Sequence, residues 1–252
     1  TYMNDEIIKQ IATSLNIKPK QVEVVLKLLE EGNTIPFIAR YRKELTGALD
    51  EEKIRSINEV YEYQVNLLKR KEDVIRLIDE KGMLTEELKQ DILKCQKLVD
   101  VEDLYRPYKE KKKTKATEAI AMGLEPLSKY ILTFPASGIQ EYASKFVNDK
   151  AKNVEDALMG AKYIIAEVIS DNAKYRKYIR NYIYKNGVLT SKLKKKATDD
   201  AKTYEMYYDY SEAICKIKPH RILAVNRGEN ENVLSVSIDV DEKDIINYLE
   251  KE

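Results

Sequence analysis

The sequence predicts a mainly all-α fold, with a helix-turn-helix-like start, a long central helix and a short β-strand near the C-terminus. Three observations predict it. Only 8 glycines and 6 prolines interrupt 252 residues, well under the usual shares of about 7% and about 5%. Lys, Glu, Leu, Ile and Ala are abundant, and few of them oppose a helix. Apolar residues recur at helical spacing until about residue 233, where the period drops to two.

The first elements are two short amphipathic helices. Ile7, Ile8, Ile11 and Leu15 share one face over residues 7–15, and Val22, Val25, Leu26 and Leu29 share one over 20–31. Pro19 stands where the second helix should begin, since a first turn tolerates proline. With apolar Ile17 between them, the pair reads as a helix-turn-helix or as a plain helical hairpin. Glu23, Glu30 and Glu31 on the exposed face of the second helix argue for the hairpin, because carboxylates repel a phosphate backbone.

Asp50 caps the next helix, and Glu51 and Glu52 suit the positive end of its dipole. Ile54, Tyr61, Leu68 and Ile75 fall seven apart, with Gly82 as the stop. A helix over 50–81 would be about 45 Å long, so it should be a strut or one arm of an antiparallel pair, its heptad row buried by later helices. A coiled-coil dimer is the runner-up, disfavoured by Gln64 and Lys71. Thr85 caps a helix over 86–98. Further helices are expected at 117–134 and 139–148, then along the apolar stripe Val154, Ala157, Leu158, Ala161, Ile164, Ile165 and Val168. Asp171 or Asn172 should cap a tyrosine-rich helix that ends before Gly187, with Tyr175, Tyr178 and Tyr182 facing inward. The lysines of 191–196 read as a solvated turn. Leu234, Val236, Ile238 and Val240 alternate as a strand, which needs a partner strand, and a short helix follows at 244–249. The segments expected are 1–48, 49–228 and 229–252. The polar start without Met and the terminal helix without a destination read as a fragment.

Composition narrows the chemistry. Lys+Arg is 44 against Asp+Glu 43, a formal net charge of +1, so any pull on nucleic acid must come from local patches. A single histidine, His220, excludes multi-histidine metal sites. Cys95 and Cys215 are too far apart for a CxxC motif, and so few thiols suit a reducing cytoplasm. No run of about 18 apolar residues offers a membrane span. GxGxxG and GxxxxGK[ST] are both absent. No catalytic residue, metal or cofactor is expected, and the chain reads as a non-enzyme.

Two basic clusters carry tyrosines. Arg40, Tyr41, Arg42 and Lys43 follow the apolar run Ile35–Ala39. Tyr105, Arg106, Tyr108 and Lys109 lead into Lys111, Lys112 and Lys113. Cations can hold phosphates while a ring stacks a base, which makes these eleven the candidate nucleic-acid-binding residues. The alternatives are that Arg40 and Arg42 are buried in ion pairs, and that the lysine run is a solvated face.

Four motifs occur in one order: Ile-Pro-Phe-Ile-Ala-Arg-Tyr-Arg-Lys-Glu-Leu-Thr-Gly at 35–47, Asp-Leu-Tyr-Arg-Pro-Tyr-Lys at 103–109, Asp-Ala-Leu-Met-Gly-Ala-Lys at 156–162 and His-Arg-Ile-Leu-Ala-Val-Asn-Arg-Gly-Glu at 220–229. Together they resemble the N-terminal region of the bacterial Tex family of transcription accessory proteins, over essentially the whole chain. The resemblance implies a protein roughly three times longer, which adds an RNase-H-like domain, helix-hairpin-helix motifs and an OB-fold RNA-binding domain. It also implies likeness to a eukaryotic transcription elongation factor. The expected role is nucleic-acid association (RNA or DNA) in transcription or RNA metabolism, weak for this segment alone. The rival is a scaffold that docks on the transcription machinery or holds the other domains.

Overall fold

The computed structural model describes residues 4–252. Fourteen α-helices and one three-stranded antiparallel sheet occur among the described residues. The chain divides into two compact units, one ending at Tyr108 and one running from Lys109 to Glu252. The expected breaks at 48/49 and 228/229 lie inside these units. Helix packing crosses the first and strand pairing crosses the second.

In the first unit α1 (Asp5–Leu15) is capped by Asn4, whose side chain accepts from the Glu6 N–H at 2.9 Å. It stops at Asn16, held in the left-handed region at φ 54°. α2 (Pro19–Glu30), α3 (Ile35–Tyr41) and α4 (Lys43–Thr46) follow, then α5 (Glu51–Glu80). Asp50 accepts from the Lys53 N–H at 2.7 Å at the start of α5. α6 (Glu86–Lys94) and α7 (Leu98–Tyr105) complete the unit.

Two separate cores lie along α5. At its N-terminal half Ile54 and Ile57 pack with Ile7, Ile8, Ile11, Val22, Val25, Leu26 and Ile38. At its C-terminal half Leu67, Val74 and Ile78 pack with Ile92, Val101 and Tyr105. The expected row Ile54, Tyr61, Leu68 and Ile75 is therefore only partly buried, and Leu68 is 38% exposed while Leu67 is 3% exposed. At about 100° per residue, the buried face swings by roughly 100° between the two halves. Heptad spacing keeps Leu68 on the line of Ile54 and Tyr61, a line the second core does not cover.

The second unit begins with α8 (Lys115–Ala121), α9 (Glu125–Ile131), α10 (Ile139–Ser144) and α11 (Val154–Asp171). The single helix expected over 117–134 is two, because Gly123 at φ 81° ends the first. α11 presents Ala157, Gly160, Ala161 and Ile164 to this bundle. A Cβ on Gly160 would meet Leu124 Cδ1 at 2.3 Å, so the motif at 156–162 is explained by close helix packing.

Asn172 caps α12 (Ala173–Asn186), accepting from the Tyr175 N–H at 3.1 Å. Tyr175, Tyr178 and Tyr182 are half-buried rather than inward-facing, and Tyr184 is exposed. Tyr178 stacks on Tyr248 of α14 (Glu242–Lys251) with centroids 3.5 Å apart. Between these helices lie β1 (Val188–Leu193), β2 (Asp209–Ala213), α13 (Pro219–Asn230) and β3 (Leu234–Asp239). β1 is central, and pairs antiparallel with β2 on one side and β3 on the other. The expected strand thus finds its partner within the chain. The solvated turn expected over 191–196 begins instead as strand, and Ser191 is buried, donating to the Tyr207 carbonyl at 2.7 Å.

α13 covers one face of the sheet with Val225 and Gly228 against Leu234. A Cβ on Gly228 would lie 2.5 Å from Leu234 Cδ1, which accounts for the glycine of the motif at 220–229. The loop before β2 is folded on Asp199, whose carboxylate accepts from the N–H groups of Thr203 (3.0 Å) and Tyr204 (2.9 Å) and the Tyr208 hydroxyl (2.7 Å). That bond to a carboxylate pushes the Tyr208 phenol up to about 12.

The two faces of α5 make a paired prediction. Leu67→Ala should cost about 2–5 kcal/mol, as for a fully buried leucine, while Leu68→Ala should cost under about 1 kcal/mol. Urea denaturation of both variants checks it, and equal destabilisation would mean that the heptad row, not the swung face, holds the strut.

Candidate nucleic-acid interface

Residues 35–46 fold as two short helices, α3 and α4, separated by the single residue Arg42. Thr34 caps α3, its hydroxyl accepting from the Phe37 N–H at 3.4 Å. Ile38 is the anchor, fully buried in the first core. That turns the opposite side of the segment to solvent. Arg42 is half-buried, Arg40 and Lys43 are exposed, and Tyr41 is 60% exposed.

The patch is ordered by one ring. The Arg42 guanidinium lies 4.8 Å from the Phe37 centroid and donates to the Tyr41 carbonyl at 2.9 Å. The Tyr41 ring packs on the same Phe37 at 5.2 Å. Arg40, Arg42 and Lys43 make no ion pair among the described residues, which overturns the reading of Arg40 and Arg42 as buried pairs. An exposed ring beside unpaired cations is suited to stack a base and hold a phosphate.

Sequence reasoning missed two further lysines. Gln21 Nε2 donates to the Thr46 carbonyl at 3.0 Å and so ties α4 to the first turn of α2. Exposed Lys18 and Lys20 stand on that turn, and Lys20 pairs only with exposed Glu23 at 3.4 Å. The residues are plain in the sequence, but the link from α2 to α4 is tertiary.

The second cluster is dispersed by its own interactions. Tyr105 is buried, with the Arg70 guanidinium 5.3 Å from its centroid, so it cannot stack a base. Tyr108 is half-buried against the second core, and its carbonyl accepts from the Lys81 ammonium. Lys111 sits between Glu167 (3.1 Å) and Asp171. Lys113 reaches Glu118 at 3.3 Å. Arg106, Lys109 and Lys112 are exposed. Within the first unit, the 40–43 patch lies on the first core and Tyr105 and Tyr108 on the second, roughly 30 Å apart along α5. The two clusters' tyrosines do not meet on one site.

No group of three or more His, Cys, Asp or Glu among the described residues is placed to hold a metal. Cys95 and Cys215 form no disulfide, and His220 is exposed on α13. No helix of the described residues is long and apolar enough to cross a membrane.

Residues 5–79 match the family model described as Tex-like protein N-terminal domain, and residues 135–251 match the model described as Tex central region-like. The chain is 50% identical over 97% of its length to Uncharacterized protein YdcI of Bacillus subtilis, covering 34% of that protein. It is 32% identical over 92% of its length to Transcriptional accessory protein Tex of Neisseria gonorrhoeae, covering 31%. It is 31% identical over 94% of its length to S1 RNA-binding domain-containing protein 1 of Homo sapiens, covering 25%. The chain thus spans about a third or less of the length of these relatives.

The Lys111 site yields a prediction of its own. Burial works against the lysine's charge, but the hydrogen bonds to Asp171 and Glu167 outweigh it and hold its pKa above the ordinary 10.5. A folded-state pKa raised in this way stabilises fully below the unfolded value and is lost as pH climbs through the folded one. Lys111→Met should therefore cost about 1–2 kcal/mol at neutral pH, less than a fully buried pair because the lysine is partly solvated. Chemical denaturation at a series of pH values should show the gap to the unmodified protein closing only above the lysine's ordinary range. A gap that is constant across the alkaline limb would rule out the ion pair as its source.

Proposed function

The chain belongs to the Tex family, and from that premise we propose that it is a non-enzymatic, nucleic-acid-associated part of a transcription accessory protein. The single observation that carries the reading is the patch Arg40, Tyr41, Arg42 and Lys43, whose cations have no carboxylate partner among the described residues and whose exposed ring is braced on Phe37. A relative named for an S1 RNA-binding domain and another named a transcriptional accessory protein support RNA or DNA as the partner. The residue inventory, with one histidine and two distant cysteines, supports a role without catalysis, and two cysteines outside any disulfide suit a cytoplasmic setting. The helix-turn-helix reading of α1 and α2 enters only through Lys18 and Lys20, which extend the patch. A scaffold role, docking on the transcription machinery or holding other domains, is favoured by one observation: Lys111 and Lys113 of the second cluster are already paired.

The double variant Arg40→Ala/Lys43→Ala separates the two readings. Neither side chain is buried or paired among the described residues, so stability should change by less than about 0.5 kcal/mol. Fluorescence anisotropy with single-stranded RNA and with duplex DNA, at about 50 mM and about 200 mM salt, should show weaker binding. The slope of log affinity against log salt should fall by about 1 for each phosphate no longer held. Unchanged affinity and slope in the folded variant would leave the scaffold reading standing.

A further inference from the structure

We propose that the second unit carries its own nucleic-acid contact: the bare face of the sheet, together with the lysines at the end of β1, takes the phosphate backbone of a double-stranded nucleic acid. The site is built from residues of the second unit alone, and the proposal does not rest on the 40–43 patch.

The sheet has two unlike faces. α13 covers the one bearing Leu234 and Val236. The pairing register places Thr190, Lys192, Ser211, Ser235 and Ser237 together on the other. Thr190 Oγ1 and Ser237 Oγ lie 2.7 Å apart across that face. Lys192, Ser235 and Ser237 are exposed, as is Ser211, and Thr190 is half-buried. At one end of the face β1 runs into Lys194, Lys195 and Lys196. This turn is tied down at both sides, by the Lys194 N–H to the Val233 carbonyl at 2.9 Å and the Ala197 N–H to the Lys194 carbonyl at 3.1 Å.

The fold does not use up these charges. Lys192 and Lys195 are exposed, Lys196 likewise, and none of the three makes an ion pair among the described residues; Lys194 touches only Asn232 Oδ1 at 3.3 Å. Of the nearby carboxylates, Asp199 is engaged by its three donors and Glu231 by Arg227 at 3.1 Å and the Tyr204 hydroxyl at 2.7 Å, while Asp200 is exposed. Asp209, opposite Lys192, and Asp239 at the far end are the acids on the face itself. Asp209 thus lies at the same end as the turn, where the four lysines Lys192, Lys194, Lys195 and Lys196 outnumber it.

The chemistry selects a duplex. Flexible ammonium groups and side-chain hydroxyls bind phosphate oxygens without reading bases. No aromatic residue of the three strands lies on this face, so it has no platform for the stacking that single strands require. A strand of 6 residues is about 20 Å long, close to the rise of about six base pairs.

The test uses the chain with Lys192→Gln, Lys195→Gln and Lys196→Gln combined, beside Arg40→Ala/Lys43→Ala. Anisotropy is read with a labelled random-sequence DNA duplex, a single-stranded RNA, and unlabelled polyglutamate as competitor. The lysine variant should keep its melting temperature, lose tenfold or more in duplex affinity at low salt, and show a salt slope shallower by about 2–3. Duplex affinity and slope unchanged in that folded variant would overturn the site, and loss confined to the arginine variant would do so while leaving the other patch intact. Absence of any duplex binding by the unmodified chain also overturns it. So does RNA bound more tightly than duplex through the same lysines, or polyglutamate competing as well as unlabelled duplex, which would make this a surface for an acidic protein.

Discussion

One helix must serve two cores that lie on different sides of it, and the first unit depends on that constraint. A helix of 30 residues draws most of its stability from the apolar surface it buries, not from propensity. Ile54 and Ile57 bury against α1 to α3, and Val74 and Ile78 against α6 and α7. Between them the buried direction swings, so the middle of the helix carries side chains such as Val65 and Leu68 that neither core covers. The 40–43 patch is held at one end of the strut because Ile38 is locked into the first core. Tyr105 is drawn into the second core at the other end. The separation of the two tyrosine-bearing segments within this unit follows directly.

Charge is distributed by the same logic. With Lys+Arg and Asp+Glu almost equal, the cations that remain available are those that no carboxylate reaches. Lys111 is drawn to Glu167 and Asp171 of α11, and Arg70 to Glu102 at 2.5 Å while it also covers Tyr105. These pairs order loops and helix ends. Arg40 and Lys43, and the lysines after β1, sit where the local fold offers no such partner. A neutral protein can thus keep small positive surfaces whose attraction for phosphate is short in range and sensitive to salt.

Close packing explains the motifs that chemistry does not. Gly160 lets α11 approach Leu124, and Gly228 lets α13 approach Leu234. Both lie in segments that mark the family resemblance, and both are fixed by the distance between packed elements.

Much of the helix pattern was legible in the sequence because it is written locally. Asp50, Thr85 and Asn172 each cap the helix that follows, since the side chain reaches an N–H only three residues ahead. The alternation at 233–240 marked β3 by the same kind of short-range periodicity. The 40–43 patch was legible as charge beside an aromatic residue. What the sequence did not disclose depends on distant residues. Leu67, not Leu68, is buried because α6 and α7 lie where they do. Residues 188–193 are strand because β2 and β3 supply their hydrogen bonds from far along the chain, although the lysines nearby suggest a turn. Tyr105 and Lys111 are removed from any binding surface by Arg70, Glu167 and Asp171, partners at long sequence separation. Caps and periodicity act over one or two turns and were determined by the sequence alone. Which side chain is covered, and which cation stays open to solvent, was decided only when the elements met in space.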